Sequence, residues 1–262
     1  GKAEAVPGVE AIITHKDVPQ EEWTEPSLNY RGRVMSETVR FVGDDVAAVA
    51  AVNIDVANEA LNLIEVEYEE LPHVFDIEKA MEHNAPQVSP HGNVRPPSII
   101  EWGDLAKEFK EADLIVEHES RMGTQHPAPL GLNACIASWE GDRLTIWTST
   151  QTPFALRDEV ARLLKMPQSK VRVIGLPLGG SFGLWWLNNF HFITVFLAKK
   201  ARKPVKLELS REEAMATVKR RDTPICWGKL GVKKDGSFTA IDFKYYFDNG
   251  AYGFKNDPYQ MI

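Results

Sequence analysis

Two cysteines, Cys135 and Cys226, are all that 262 residues contain. Two thiolates cannot supply the four that an iron–sulfur cluster takes, and they offer no disulfide framework of a small secreted domain. Both sit in apolar surroundings, where buried packing is the expected role. No run reaches the ~18 uncharged apolar residues of a membrane helix. No basic-then-apolar leader opens the sequence, so the cytoplasm is the expected compartment. Positive charge is also in short supply: 30 Lys and Arg stand against 37 Asp and Glu, a net charge of −7. A nucleic-acid binder neutralises phosphates with Lys and Arg, so the basic clusters at Lys199-Lys200, Arg202-Lys203 and 219–221 read as solvated faces. His118, His126 and His191 show no paired ligand spacing on one predicted face and no accompanying Asp/Glu cluster, so no protein-ligated metal is expected. Thr148-Ser149-Thr150 has no His partner in its sequence context, which leaves a serine hydrolase unsupported.

What remains is a soluble α/β composition, 44% hydrophobic and 26% charged. Residues 1–84 read as a small α/β unit. Val9–Thr14 and Val46–Val52 have strand character, Asp55 is placed to cap a helix through Ala60 and Ile64, and Ile64–Tyr68 alternates apolar and acidic residues like a half-buried strand. Residues 85–103 are rich in proline, lack periodicity and read as a linker. From Asp104, a helix cap, a second unit runs to 262. It has strands at Leu114–Glu119, Ala134–Trp139, Arg143–Thr148 and Val171–Ile174, and a Thr152-Pro153 helix start. An apolar helix over Phe190–Lys200, a capping box at Ser210–Glu213 and a hairpin of 229–232 with 238–247 complete it.

The most informative segment is Gly179-Gly180-Ser181-Phe182-Gly183, after the Val171–Ile174 strand. Three glycines in five residues let backbone approach something closely, often an anion held by bare N–H groups. The alternative is a tight strand-to-helix turn with no ligand. No Lys-Ser/Thr follows, so this is not a Walker loop, and the spacing does not fit the dinucleotide fingerprint Gly-x-Gly-x-x-Gly. About thirty residues upstream Gln151 ends a strand and precedes a helix, where a neutral amide is either a turn residue or a site residue.

Together these residues resemble the molybdenum-binding subunit of the xanthine dehydrogenase and aldehyde oxidase family. The resemblance rests on Gln151, the loop 179–183 and Asp248-Asn249-Gly250-Ala251-Tyr252-Gly253, with Arg40–Val49, Ile64–Pro72 and Trp102-Gly103-Asp104 upstream. It implies a mixed α/β fold: a hammerhead-like domain over 1–84, its start missing, a linker over 85–103, and the N-terminal part of a molybdopterin-binding domain over 104–262. It implies a molybdenum–molybdopterin cofactor, with the pterin plain or as its cytosine dinucleotide. Gln151, Gly179, Gly180, Ser181, Phe182 and Gly183 are then the cofactor contacts, Gln151 facing an oxo ligand, and Phe182 and Trp186 are candidate walls of the substrate pocket, core packing being the alternative for each. The implied reaction oxidises an N-heterocycle or an aldehyde with water as oxygen donor. Electrons would pass to [2Fe-2S] and FAD on partner subunits. Family subunits continue past Ile262, where their general-base Glu lies, so the resemblance implies a fragment or split subunit that completes its site with the rest of the enzyme. The sequence departs from the family at Leu184-Trp185-Trp186, where a polar run is usual, and at Gly131 and Asn133, where relatives often carry Glu and His. Those departures keep a second reading open: a non-catalytic assembly or decoy subunit that retains the fold without the cofactor.

Overall fold

The computed structural model describes residues 1–25, 30–88, 92–183, 185–218, 220–221, 223–248 and 250–252. Among them the strands are β1 (Val9–Thr14), β2 (Trp23–Glu25), β3 (Tyr30–Gly32), β4 (Ala47–Ala51), β5 (Leu114–Arg121), β6 (Ala134–Glu140), β7 (Arg143–Thr148), β8 (Val171–Gly175), β9 (Val205–Glu208), β10 (Thr223–Val232) and β11 (Phe238–Asp248). The helices are α1 (Ile54–Asn62), α2 (Ile77–Ala80), α3 (Leu105–Lys110), α4 (Pro153–Leu163), α5 (Asn189–Ala201) and α6 (Arg211–Thr217). The architecture is mixed α/β, and no helix among the described residues is long and apolar enough to cross a membrane.

Two compact units divide the chain. The first holds residues 1–70, 126–219 and Tyr252. Its main sheet has the order β8-β7-β6-β9, with β7 and β8 parallel and the other neighbours antiparallel. The β6–β7 hairpin turns at Gly141, whose φ of +61° suits a residue without Cβ. The parallel β7–β8 pair needs a crossover, and α4 provides it. Helix α5 buries Phe190, Phe192, Ile193, Val195, Leu197 and Ala198. It packs against β6 and β9 on one side and the antiparallel β1–β4 pair on another, so it is apolar nearly all round.

The second unit holds 71–125 and 220–251. Its core is the antiparallel sheet β11-β10-β5, with a register shift between Gly231 and Val232. On one face Lys229 pairs with Glu117 at 2.7 Å and lies over the Phe109 ring of α3, while Lys244 lies over Trp227.

Several local expectations are corrected. Ile64–Tyr68 forms no strand: it pairs with no strand among the described residues, and the Ile64 amide instead closes the end of α1 on Leu61 O at 3.1 Å. The expected Val46–Val52 strand is β4, Ala47–Ala51, and before it Phe41 and Asp44 close a turn through Gly43, at φ +112°. The cap of α1 is Asn53, whose Oδ1 accepts from the Val56 amide at 2.9 Å; Asp55 lies within the first turn. The Thr152 hydroxyl makes no cap bond to α4. Cys135 is buried, and burial pushes its thiol up to about 12, but Cys226 is only half-buried.

Candidate functional site

The residues singled out in the sequence converge on the carboxyl ends of β7 and β8. Neighbouring parallel strands release their following loops side by side, a place where α/β sheets commonly hold ligands. Here the pairing continues past the strands. Leu176 N–H donates to Thr148 O at 2.9 Å, and Ser149 Oγ donates to Pro177 O at 2.9 Å. Thr148 Oγ1 bonds to Ala134 O at 2.7 Å on the other side of β7. Thus Thr148 and Ser149 are used up in fastening the strand end. Gln151 differs. Its backbone N–H is held by Trp185 O at 2.8 Å, but its exposed carboxamide has no hydrogen-bond partner among the described residues.

The glycine loop follows β8. Gly180 has φ +95°, Phe182 +53° and Gly183 +87°, so three of its five residues are left-handed. For Phe182 that conformation is strained, at a cost on the order of 1 kcal/mol. The ring is 62% exposed, so it stands out from the loop, and it is not core. The smallness of Gly179 has a different cause from the one expected. Gly131 N–H donates to Gly179 O at 3.0 Å, and a Cβ on Gly179 would meet Gly131 Cα at 2.7 Å. At Gly180 a Cβ would meet the Phe182 ring at 3.1 Å and Pro129 at 3.3 Å. The first half of the loop is therefore packed against 129–131 by backbone contact. That segment is itself anchored by Arg211 of α6, which donates to Pro129 O at 2.8 Å and Leu130 O at 2.9 Å.

Behind the loop Trp185 is 1% exposed and packs on Ala214 and Val218 of the same region. Its indole N–H donates to Gly180 O. Its carbonyl accepts from both the Gln151 amide and Thr150 Oγ1, the latter at 3.1 Å. Trp186 is half-buried and its Nε1 is a buried donor with no partner among the described residues. Ser181 Oγ and Thr152 Oγ1 are orphaned in the same way. Buried polar groups normally find partners, and these three lie in the loop or close to it or to Gln151 in sequence; His126, Asn133, His191 and Thr239 carry such atoms elsewhere among the described residues.

The structure thus brings Gln151 and residues 179–183 together, with Trp186 next to them in the chain. The Asp248–Gly253 segment is only partly described: Asn249 and Gly253 lie outside the described residues. Gly250 N–H donates to Asp248 Oδ1 at 2.9 Å, and Tyr252 OH donates to Asp44 Oδ2 at 2.7 Å. Sequence reasoning missed Arg211, and it treated Gly131 only as a departure from a family pattern. The available signal was the pair of glycine-bearing segments, 131 and 179, each needing close approach. His191 is buried under Phe190 at the start of α5, where burial pushes its imidazole down to about 3 and keeps it neutral.

Residues 87–261 match the molybdopterin cofactor-binding domain, and residues 1–72 match the aldehyde oxidase and xanthine dehydrogenase a/b hammerhead domain. The nicotinate dehydrogenase large molybdopterin subunit of Eubacterium barkeri is 32% identical, with 96% of this chain and 59% of that protein covered. A probable hypoxanthine oxidase of Escherichia coli O157:H7 is 34% identical, with 96% and 31% covered. Among solved structures, quinoline 2-oxidoreductase from Pseudomonas putida 86 superposes with a TM-score of 0.83 at 27% identity, over 95% of this chain and 33% of that one. CO dehydrogenase from Oligotropha carboxidovorans gives 0.82 at 28%, over 94% and 34%. The chain spans between 31% and 59% of the length of these relatives. By the matched domains, which together take in both units, the chain belongs to the xanthine dehydrogenase and aldehyde oxidase family, through its hammerhead and molybdopterin cofactor-binding domains.

Proposed function

We propose that this chain forms part of a molybdenum hydroxylase that oxidises an N-heterocycle or aldehyde with water as the oxygen donor. In this reading 1–84 is the hammerhead-like part, 85–103 the linker and 104–262 part of the molybdopterin-binding domain. The supporting observation is the unpartnered Gln151 carboxamide together with a left-handed glycine loop that carries one orphaned buried hydroxyl, Ser181 Oγ. The residues fit the cofactor. A pterin bearing a phosphate is polar and anionic, and the loop offers Ser181 Oγ, bare glycine backbone and the positive end of α4.

When bound, the cofactor supplies two-electron redox chemistry. The chain supplies position. Gln151 Nε2–H would donate to a cofactor oxygen; a neutral amide steadies such an oxygen without displacing it. Ser181 Oγ and the backbone of Gly180 and Gly183 would hold the cofactor from the other side. Phe182 and Trp186 would wall the substrate's approach and keep water out. Electrons would leave to iron–sulfur and FAD partners.

The test is Gln151→Ala in the intact enzyme complex, with molybdenum content, turnover and thermal midpoint measured together. Turnover should fall about tenfold to a thousandfold, as for lost preorganised donors, with the midpoint unchanged because the side chain is exposed. Full turnover in the variant overturns the assignment. A wild-type complex free of molybdenum favours the non-catalytic assembly or decoy reading.

A further inference from the structure

We propose that Trp185 is a positioning residue: it ties the Gly180 peptide to the Gln151 peptide, so that the two halves of the candidate site keep one geometry. The inference rests on the reading of Gln151 and the loop as the cofactor contacts, and it names what aligns them.

The two halves belong to different connections. Gln151 lies in the β7–α4 turn and Gly180 in the loop after β8. The strand ends are zipped by Leu176 and Ser149, but that zipper stops at Pro177. Beyond it, three glycines leave the loop with many accessible backbone states. Trp185 closes this gap from both ends. Its carbonyl takes two donors from the Gln151 side, the Gln151 amide at 2.8 Å and Thr150 Oγ1 at 3.1 Å. Its indole N–H takes the Gly180 carbonyl. The ring cannot swing away, because it is buried on Ala214 and Val218 with Leu209 packed beside them.

A buried Trp that only filled space would need any acceptor for its N–H. This one uses the carbonyl of a left-handed glycine inside the loop, and that has a consequence. The Gly180–Ser181 peptide is trans, so its C=O and N–H point in opposite directions. Fixing the carbonyl on Trp185 fixes the Ser181 N–H on the far side. The same residue thereby orients one backbone donor of the loop and the backbone that carries the Gln151 amide. Arg211 acts on a separate support: it anchors Pro129 and Leu130, and that segment reaches Gly179 through the Gly131 bond and Gly180 through contact with Pro129, but not Gln151.

Trp185→Phe in the intact complex keeps a ring and removes the N–H. Amide hydrogen exchange is read at 150–152, at 179–183 and in α5, together with molybdenum retained after gel filtration. Exchange should rise up to about tenfold at both Gln151 and the loop, the scale of one lost hydrogen bond, with α5 unchanged. Molybdenum retention should fall. Arg211→Ala should speed exchange at 129–131 and at 179–180 and leave Gln151 protected. If Trp185→Phe does not fold, Thr150→Val reads the same link from its other end and should loosen 179–183 and the Gln151 amide; the Thr152 amide, which donates to Thr150 Oγ1 at 3.1 Å, loses its own acceptor and is excluded from that comparison. Unchanged exchange at Gln151 in Trp185→Phe, or the same pattern from Trp185→Phe and Arg211→Ala, overturns the proposal. A wild-type complex without molybdenum removes the cofactor reading, whereas the exchange pattern still decides the link.

Discussion

Gly131 and Gly179 meet backbone to backbone: the Gly131 amide donates to the Gly179 carbonyl at 3.0 Å, and a Cβ on Gly179 would lie 2.9 Å from Gly131 N. Neither position is left-handed, so neither glycine is required by its own φ. Each is required by the other. A side chain at 131 would press on Gly179 Cα at 3.0 Å and push the loop off its support, so the carboxylate that the family resemblance implies at this position has no room here.

A prediction follows for paired substitutions. Gly131→Ala and Gly179→Ala should each destabilise by about 1–3 kcal/mol, the usual cost of overpacking. Because each displaces the same contact, their effects should not add. Gly180→Val should also lose cofactor, since a β-branched residue at φ +95° would strain the backbone and press on Phe182 and Pro129. Thermal denaturation of the two single variants and the double variant reads the first effect and molybdenum analysis the second. Strict additivity would show that the close approach does not constrain the loop.

Much of this fold is legible in local sequence, and the reasons are specific. The Ser210 capping box forms as read, with Ser210 Oγ accepting from Glu213 N–H at 3.1 Å and Glu213 returning a bond at 2.7 Å. The α5 pattern, the β6–β7 hairpin and the β10–β11 hairpin are likewise set by neighbouring residues. The failures are of another kind. Ile64–Tyr68 has strand alternation, but a strand exists only with a partner, which periodicity does not report. In the candidate site the same division holds. Gln151 and the loop are visible as motifs, whereas Arg211 and Gly131 matter only because the chain brings distant segments together. Trp185 has the character of a core residue and is one; its sequence context does not reveal that its N–H and carbonyl point to two different loops.

A second prediction concerns pH. Asp45 accepts from Asn189 Nδ2 at 2.9 Å, and Asn189 in turn accepts from Trp23 Nε1 at 2.8 Å. Burial lifts the Asp45 carboxyl to about 7, and the neighbouring charges of Asp44 and Glu213 add to the effect. Its folded value thus lies above its unfolded one. Below about pH 4 both states hold the proton. Between there and about 7 the unfolded chain ionises first, so rising pH costs stability, by about 4 kcal/mol at most. Above 7 the cost is constant. Asp45→Asn keeps an acceptor for Asn189 and removes the charge. Urea midpoints from pH 5 to 8.5 should decline to about pH 7 and then level in the wild type, and the variant should lose that component. Parallel profiles would show that Asp45 does not titrate in this range.

The last prediction concerns substrate class, and it turns on Trp186. Trp186 follows the loop by three residues in the chain and is half-buried, and its Nε1 is a buried donor without a partner among the described residues. A side chain held only for packing would normally have that N–H satisfied. An indole donates one hydrogen bond and accepts none, so it cannot orient the polar edges of a purine dione as a charged residue would. It can stack on a flat ring, which contributes on the order of 1 kcal/mol beyond the buried area. Apolar surface on the loop and on the segment packed against it agrees, since Phe182 is 62% exposed and Leu130 91%. The intact enzyme should therefore prefer N-heteroaromatics or aromatic aldehydes to xanthine. Trp186→Ala should raise KM for such rings about fivefold and change kcat less. Trp186→Phe should retain stacking and lose selectivity only for substrates with an acceptor that reaches Nε1. Xanthine emerging as the best substrate, or a Trp186→Ala enzyme with unaltered KM across the ring series, would place the indole outside the substrate's path.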